Sequence, residues 1–201
     1  RGAAPINWAI VNGESETGIT IIKMNEKMDE GKILLKEAVS IKKDDDAIML
    51  SDKLSQKSAQ VILKAIDGIK KGDAKFIEQN EADATYAPKL QKEHGLIDWQ
   101  MSSEEIFNRI RAFVPWPGCF TYWNKKILKI WKAAPEEGVS GKDVSPGRVI
   151  DVAKDSILVG TGKAAIRIEE LQLESKRRMK VEEFIVGHSD MKSGVTFSLQ
   201  R

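Results

Sequence analysis

The sequence holds a single cysteine, Cys119, and two histidines, His94 and His188, in 201 residues. One thiol cannot build an internal disulfide framework, and so small a set excludes a Cys- or His-rich metal site. Long apolar runs are missing, since none approaches the ~20 residues that cross a bilayer as a helix. There is no P-loop, no dinucleotide-binding glycine pattern and no internal repeat. The opening residues carry no signal-peptide pattern either. The chain opens Arg1-Gly2-Ala3-Ala4-Pro5, without Met or an apolar stretch, which reads as a piece of a longer protein and not as a secretion signal. Charge of one sign is also scarce, with 32 Lys+Arg against 30 Asp+Glu and a net charge of +2. Residues 94–201 carry 17 of those cations against 14 acids. An electrostatic argument therefore has to rest on local clusters.

What is present is ordinary for a globular protein: 41% hydrophobic and 31% charged residues, enough apolar material for a core. The length suits one large domain or two small ones. Gly18–Met24 and Lys32–Val39 are rich in β-branched residues and predict two strands, with the polar loop 25–31 between them. Asp44-Asp45-Asp46 then offers helix caps. Leu50, Leu54, Val61, Ile62, Ala65, Ile66 and Ile69 recur at helical spacing, and Gly72 can stop the helix. Two strands are too few to cover so wide an apolar face, so a partner sheet is expected upstream of the sequence.

Residues 73–93 are polar and weakly periodic, and read as a linker. Ser102 and Glu105 form a capping box that opens a short amphipathic helix through Ile106, Ile110 and Phe113. Pro115-Trp116-Pro117-Gly118 reads as a turn packed at a domain junction. Five short strands follow, at Phe120–Trp123, Ile127–Trp131, Arg148–Val152, Ile157–Val159 and Ala165–Leu173, with a last helical turn at Val181–Val186. Such a set in about a hundred residues fits a small barrel of the oligonucleotide-binding (OB) kind.

Among candidate chemical groups, Asp29 stands out. It lies in the loop between the first two strands, directly before Glu30-Gly31, where rigid elements would hold a carboxylate able to take a proton from an attacking amine. The commoner use of Asp-x-Gly is a plain turn. Both histidines read as exposed or capping residues, and Cys119 as a small core residue. Two basic clusters are present. Lys125, Lys126, Lys129 and Lys132 interleave with Trp123 and Trp131, while Lys176, Arg177, Arg178 and Lys180 lie further on. Brought together they would suit a phosphate backbone; apart, they are a solvated hairpin face and a basic loop.

Several ordered stretches carry a resemblance. Arg1-Gly2-Ala3-Ala4-Pro5-Ile6, Asn12-Gly13-Glu14, Glu16-Thr17-Gly18-Ile19-Thr20 and Met24–Leu34 resemble the formyltransferase domain shared by folate-dependent formyltransferases. Tyr86-Ala87-Pro88-Lys89-Leu90, Ile97-Asp98-Trp99, Arg111–Gly118, Leu128-Lys129-Ile130, Leu171-Gln172-Leu173, Lys176–Met179 and Glu182-Glu183-Phe184 resemble, in the right order, the methionyl-tRNA formyltransferases. The resemblance covers nearly the whole chain. It implies an α/β fold: the C-terminal portion of a Rossmann-like formyltransferase domain at 1–72, a linker at 73–93, and an OB-like tRNA-binding barrel at 94–201.

The resemblance also implies roles. Asp29 matches the family's catalytic Asp, and Met24, Asn25, Glu26, Lys27 and Met28 match a segment lining the folate site. In the family the methionyl amine attacks the formyl carbon of 10-formyltetrahydrofolate, and the Asp, with an Asn and a His, manages protons and stabilises the tetrahedral oxyanion. The basic clusters would clamp the acceptor arm of initiator methionyl-tRNA. A cytoplasmic, metal-free, monomeric enzyme of translation initiation is the implied setting. The sequence departs from the family in lacking the Asn-x-His motif expected shortly before Arg1, so a polypeptide of these residues alone is expected to be inactive. Asn25 stands where many relatives carry an acid. Two alternatives stay open: a sugar-nucleotide formyltransferase, which shares the catalytic core and the Pro-Trp-Pro-Gly junction, and a non-catalytic RNA-binding module. Tyr86–Leu90 and residues 176–183 favour the tRNA enzyme, and the Asp29 loop argues against the module.

Overall fold

Pro5, whose fixed φ suits a first helical turn, opens the short helix α1 (Pro5–Val11) in the computed structural model, which describes residues 1–136, 138–139 and 144–200. The chain divides into two compact units, Arg1–Leu90 and Gln91–Arg201. In the first, β1 (Glu16–Lys23) and β2 (Lys32–Ser40) pair antiparallel from Glu16↔Ser40 to Lys23↔Lys32, with an irregularity at Ile21/Ile22. The expected strands are present within two residues at each end. Gly31 is required where the loop closes, because a Cβ there would lie 2.0 Å from the Lys23 carbonyl oxygen.

The helix α2 (Ala47–Lys71) begins and ends where the caps place it. The Asp46 carboxylate accepts from Met49 N–H at 2.8 Å, and Gly72 takes the left-handed conformation at φ 80°. Leu50, Leu54, Val61 and Ala65 are buried, whereas Ile62, Ile66 and Ile69 remain 42%, 40% and 54% exposed. A two-stranded sheet is narrower than the apolar stripe, so it covers one edge of it.

Just before α2, the side chain of Asp45 is buried and accepts from Lys42 N–H at 2.8 Å and from Lys53 Nζ at 2.6 and 2.7 Å. Burial pushes its carboxyl up, but the hydrogen bonds from Lys53 and Lys42 and the charges of both lysines carry it below the ordinary Asp value. A carboxyl depressed by folding contributes stability that is full above its unfolded pKa of about 4 and is lost as the pH falls through the folded value. Asp45→Ala is therefore expected to cost about 1–3 kcal/mol at neutral pH, because it leaves Lys53 without its carboxylate. Denaturant melts of both proteins check this. The gap should close as the pH is lowered past about 4, and a gap independent of pH would refute the ionic account.

Residues 73–90, expected as linker, belong to the first unit. Ile33 and Ile77 exchange both backbone hydrogen bonds at 2.8 Å, Ala87 N–H donates to Arg1 C=O at 2.7 Å, and Trp8 Nε1–H donates to Pro88 C=O at 2.8 Å. These isolated bridges have no periodicity, which is why the segment reads as linker from sequence.

In the second unit the Ser102/Glu105 capping box opens α3 (Ser103–Ala112), which buries Ile106, Ile110 and Ala112. Phe113 is buried beyond its end, and Gly118 N–H closes the following turn on Phe113 C=O at 2.9 Å. Trp116, expected to pack, is 53% exposed; Phe113 takes the apolar burial at this turn instead. The strands β3 (Cys119–Trp123), β4 (Lys126–Glu136), β5 (Val149–Val152), β6 (Ile157–Gly160), β7 (Ala165–Leu173) and β8 (Met179–Lys180) form one antiparallel sheet of order β3-β4-β7-β6-β5, with β8 beside β7. Asn124 and Lys125 turn the β3–β4 hairpin at φ 48° and 61°, the left-handed conformation that matches strand twist in a two-residue loop.

The terminal segment reaches both outer strands. Val149 N–H donates to Val195 C=O at 2.7 Å, and Tyr122 and Ser198 exchange hydrogen bonds at 3.1 and 2.9 Å. Leu128, Ile157, Ile166, Ile168 and Leu171 fill the core with Val181 and Phe184 of α4 (Val181–Val186). Among the described residues no helix is long and apolar enough to cross a membrane.

Candidate functional site

The β1–β2 loop places Asp29 at φ 60°, a left-handed conformation that Asp and Asn tolerate better than most residues. Its carboxylate oxygen Oδ2 accepts from the Gly2 N–H at 3.3 Å, and the residue is otherwise exposed. Gln79 Nε2 donates to the backbone carbonyls of Asp29 at 2.8 Å and Gly31 at 2.7 Å. Arg1 forms a two-pronged pair with Glu81, both contacts at 2.8 Å, approaches Glu30 to 3.6 Å and donates to Gln79 Oε1 at 3.2 Å. The hydrogen bond from Arg1 holds the Glu81 carboxyl below its usual range. Asp29 lies on an open cavity of about 570 Å³, whose lining includes Gly2, Thr20, Ile33, Lys36, Gln79 and Asp83. An exposed carboxylate held by rigid neighbours at a cavity wall can accept a proton from a group bound there.

Within the Met24–Met28 segment, Met24 and Met28 are 86% and 81% exposed, and Asn25 Oδ1 accepts from Lys27 N–H at 3.0 Å. None of these five residues lines the Asp29 cavity. Among the described residues no group of three or more His, Cys, Asp or Glu could hold a metal ion.

The histidines cap: Gln91 N–H donates to His94 Nδ1 at 3.0 Å, and His188 Nδ1 lies 2.8 Å from Phe184 C=O. Cys119 is buried, and burial pushes its thiol up to about 12, so it stays protonated.

The two basic clusters meet at Trp131. Lys129 Nζ lies 5.5 Å from its ring centre and the Arg178 guanidinium 5.3 Å. Trp131 Nε1–H donates to Gln172 Oε1 at 3.0 Å, and Gln172 Nε2 donates to Lys176 C=O at 2.8 Å, so β4 and the β7–β8 loop are tied side by side. Lys125 and Lys126 stand at the hairpin turn and are exposed. Four members are ion-paired: Lys132 with Glu169 at 2.9 Å, Arg177 with Glu183, Arg178 with Glu170 and Lys180 with Glu182 at 3.7 Å. Among the described residues no carboxylate pairs with Lys126, Lys129 or Lys176. A hollow of about 500 Å³ near Lys132, Arg167 and Lys180 also holds Asp155, Glu169, Glu170 and Glu182, so acids outnumber cations and it offers no anion site.

Sequence reasoning missed Gln79, Arg1 and Gly2 as supports of the Asp29 loop, and Trp131 as the joint between the clusters. Gln79 carries no local signal; its role rests on hydrogen bonds across 48 and 50 residues. The Lys-x-Trp spacing of Lys129 and Trp131 on one strand was a usable hint for the joint.

Comparison with known proteins sets these residues in context. A methionyl-tRNA formyltransferase of Caldanaerobacter subterraneus is 45% identical over 94% of the chain, and one of Alkaliphilus oremlandii is 44% identical over 97%. The chain spans about 60% of the length of these relatives. A solved N-formyltransferase of Helicobacter canadensis, in complex with folinic acid and dTDP-3-aminofucose, shares the fold with a TM-score of 0.66 at 22% identity, over 84% of this chain and 61% of its own. The model of the formyl transferase family matches residues 1–66, and that of the formyl transferase C-terminal domain matches residues 89–189. With both parts matched in order along the sequence, the chain belongs to the formyl transferase family.

Proposed function

We propose that the protein transfers a formyl group from 10-formyltetrahydrofolate to the amine of methionyl initiator tRNA, with Asp29 as the proton-accepting carboxylate. The observation that carries this reading is the placement of Asp29 on a tight loop at the wall of an open cavity, with Gly2 N–H donating to its carboxylate at 3.3 Å. The names of the relatives at 44–45% identity support the tRNA substrate. The folate donor supplies a formyl carbon at the oxidation level the product needs. Met24 and Met28, two adaptable thioether side chains exposed on the loop that carries Asp29, suit a flat ring system, and with Asn25, Glu26 and Lys27 they would hold it. Asp29 removes a proton from the methionyl ammonium, which frees the lone pair. The new bond from that nitrogen to the formyl carbon forms, the bond from the formyl carbon to N10 of the donor breaks, and tetrahydrofolate leaves with N10 protonated by the proton the amine gives up.

The second unit serves as the tRNA-binding part. The β3-to-β5 sheet, with the terminal segment hydrogen-bonded to both outer strands, supports an OB-like barrel. Lys125, Lys126, Lys129 and Lys176 supply the phosphate-facing charge, Lys129 and Arg178 are grouped at Trp131, and Lys132, Arg177, Arg178 and Lys180 form the acid-paired margin. On this reading the protein is a cytoplasmic monomer acting at translation initiation.

The test is a competition assay on the full-length protein with labelled formyl donor, offering methionyl-tRNA and a dTDP-linked amino sugar. Methionyl-tRNA is expected to be formylated with kcat/KM at least about 100-fold higher, because groups shaped for one substrate are left unpaired by the other. Preference for the amino sugar would make the protein a sugar-nucleotide formyltransferase. Binding of tRNA without transfer to either substrate would make it an RNA-binding module.

A further inference from the structure

We propose that Gln79 is a positioning residue for formyl transfer: its side-chain amide clamps the backbone of the Asp29 loop, and Arg1 fixes that amide in register. This rests on the reading of Asp29 as the proton acceptor. The loop needs a clamp. Its residues 24–29 are exposed, Asp29 is in the left-handed conformation, and the Gly2 N–H reaches the carboxylate only at a long 3.3 Å. Loops of this kind sample several conformations unless their backbone carbonyls are tied.

Gln79 ties two of them at once, with both amide hydrogens used on Asp29 C=O at 2.8 Å and Gly31 C=O at 2.7 Å. The two carbonyls flank Glu30, so the clamp sets the direction in which the Asp29 side chain leaves the chain. The amide is itself oriented, since its Oε1 accepts from Arg1 Nη2 at 3.2 Å and Arg1 is locked onto Glu81 by two bonds of 2.8 Å. The Ile33–Ile77 bridge, 2.8 Å in both directions, anchors the segment two residues before Gln79 to the strand that follows the loop. Each of these bonds runs from a donor to an acceptor, although Arg1 Nε–H is buried without a hydrogen-bond partner among the described residues. A glutamate at 79 would keep the shape and could still accept from Arg1, but it would present acceptors to two carbonyls.

The experiment compares Gln79→Ala and Gln79→Glu with wild type in the full-length protein, each alone and combined with Asp29→Asn. Expected for both single variants is a fall in kcat of about 10–100-fold with KM for either substrate within about twofold, because a displacement of the order of 1 Å suffices for a loss of that size. Amide exchange of residues 29–32 should quicken while the rest of the unit is unchanged. In the Asp29→Asn background, changing Gln79 should cost less than about twofold more, because the clamp acts through Asp29. Three outcomes overturn the proposal: a kcat within twofold of wild type, a full additive loss in the double variant, or unaltered exchange at 29–32. A different result, normal turnover in Asp29→Asn with faster exchange in Gln79→Ala, would keep the clamp and remove the catalytic reading of Asp29. If Gln79→Ala does not fold, the isosteric Gln79→Glu carries the test.

Discussion

Asp29→Asn in the full-length protein is expected to lower kcat for formyl transfer by about 100- to 10,000-fold while leaving the fold and substrate KM nearly unchanged. The substitution isolates one property. Among residues with a Cβ, Asn tolerates well the left-handed conformation that Asp29 adopts at φ 60°, so the loop keeps its shape. The side-chain oxygen of Asn can still accept the Gly2 N–H, and Gln79 still donates to the backbone carbonyls on either side of Glu30. What disappears is the ability to take and hold a proton. Asp29→Ala would be a poorer probe, since it removes the Gly2 hydrogen bond and strains the turn along with the carboxylate. Single-turnover formylation of methionyl-tRNA measures the effect directly, and circular dichroism melts establish that the variant is folded. Turnover within about threefold of wild type would remove Asp29 from the chemistry and leave Asp-Glu-Gly as a turn.

The parts of the fold that were legible share a physical cause: local sequence decides them. The cap candidates Asp44–Asp46, of which Asp46 is the one used, the apolar spacing from Leu50 to Ala65 and the stop at Gly72 define α2 to within two residues at its start and to the residue at its end. The β-branched run and closing glycine define the β1–β2 hairpin. The capping box likewise starts α3. By contrast, α1 has seven residues and one buried side chain, Ile10, too little for a periodic signal. Residues 73–90 join the first unit through isolated bridges and single side-chain bonds, which leave no pattern in composition. The same holds at the candidate site. Asp29 was found because a turn chemistry and a resemblance both mark it. Arg1 and Gln79, which hold its loop, are partners only because 78 residues of chain bring them together. In the basic clusters, which cations are neutralised depends on the β4–β7 register, irregular at Lys132, and that register is not written in either strand alone.

That division of the basic residues yields the second large effect. Neutralising Lys126, Lys129 and Lys176 together, each to Gln, is expected to weaken initiator-tRNA binding by about 10–100-fold and to reduce the slope of log K against log salt by about 2. These ammonium groups have no carboxylate partner among the described residues, so their field reaches a phosphate backbone undiminished. Lys132 differs. It pairs with Glu169 at 2.9 Å, the hydrogen bond raises its pKa, and its charge is largely spent within the protein. Lys132→Gln should therefore change tRNA affinity less than about threefold, although its place in the sequence cluster is equivalent. Trp131 adds a further discrimination. Replaced by Leu, it would release Lys129 and Arg178 from the ring that groups them. Net charge stays the same, so affinity should fall by several-fold with the salt slope nearly preserved. Filter binding or fluorescence titration at four or five salt concentrations separates these cases. If the triple variant binds with wild-type affinity and slope, the tRNA lies on another face. If Lys132→Gln weakens binding as strongly as the triple variant, the acid-paired margin is the phosphate site, and charge pairing within the protein does not decide which cations meet the RNA.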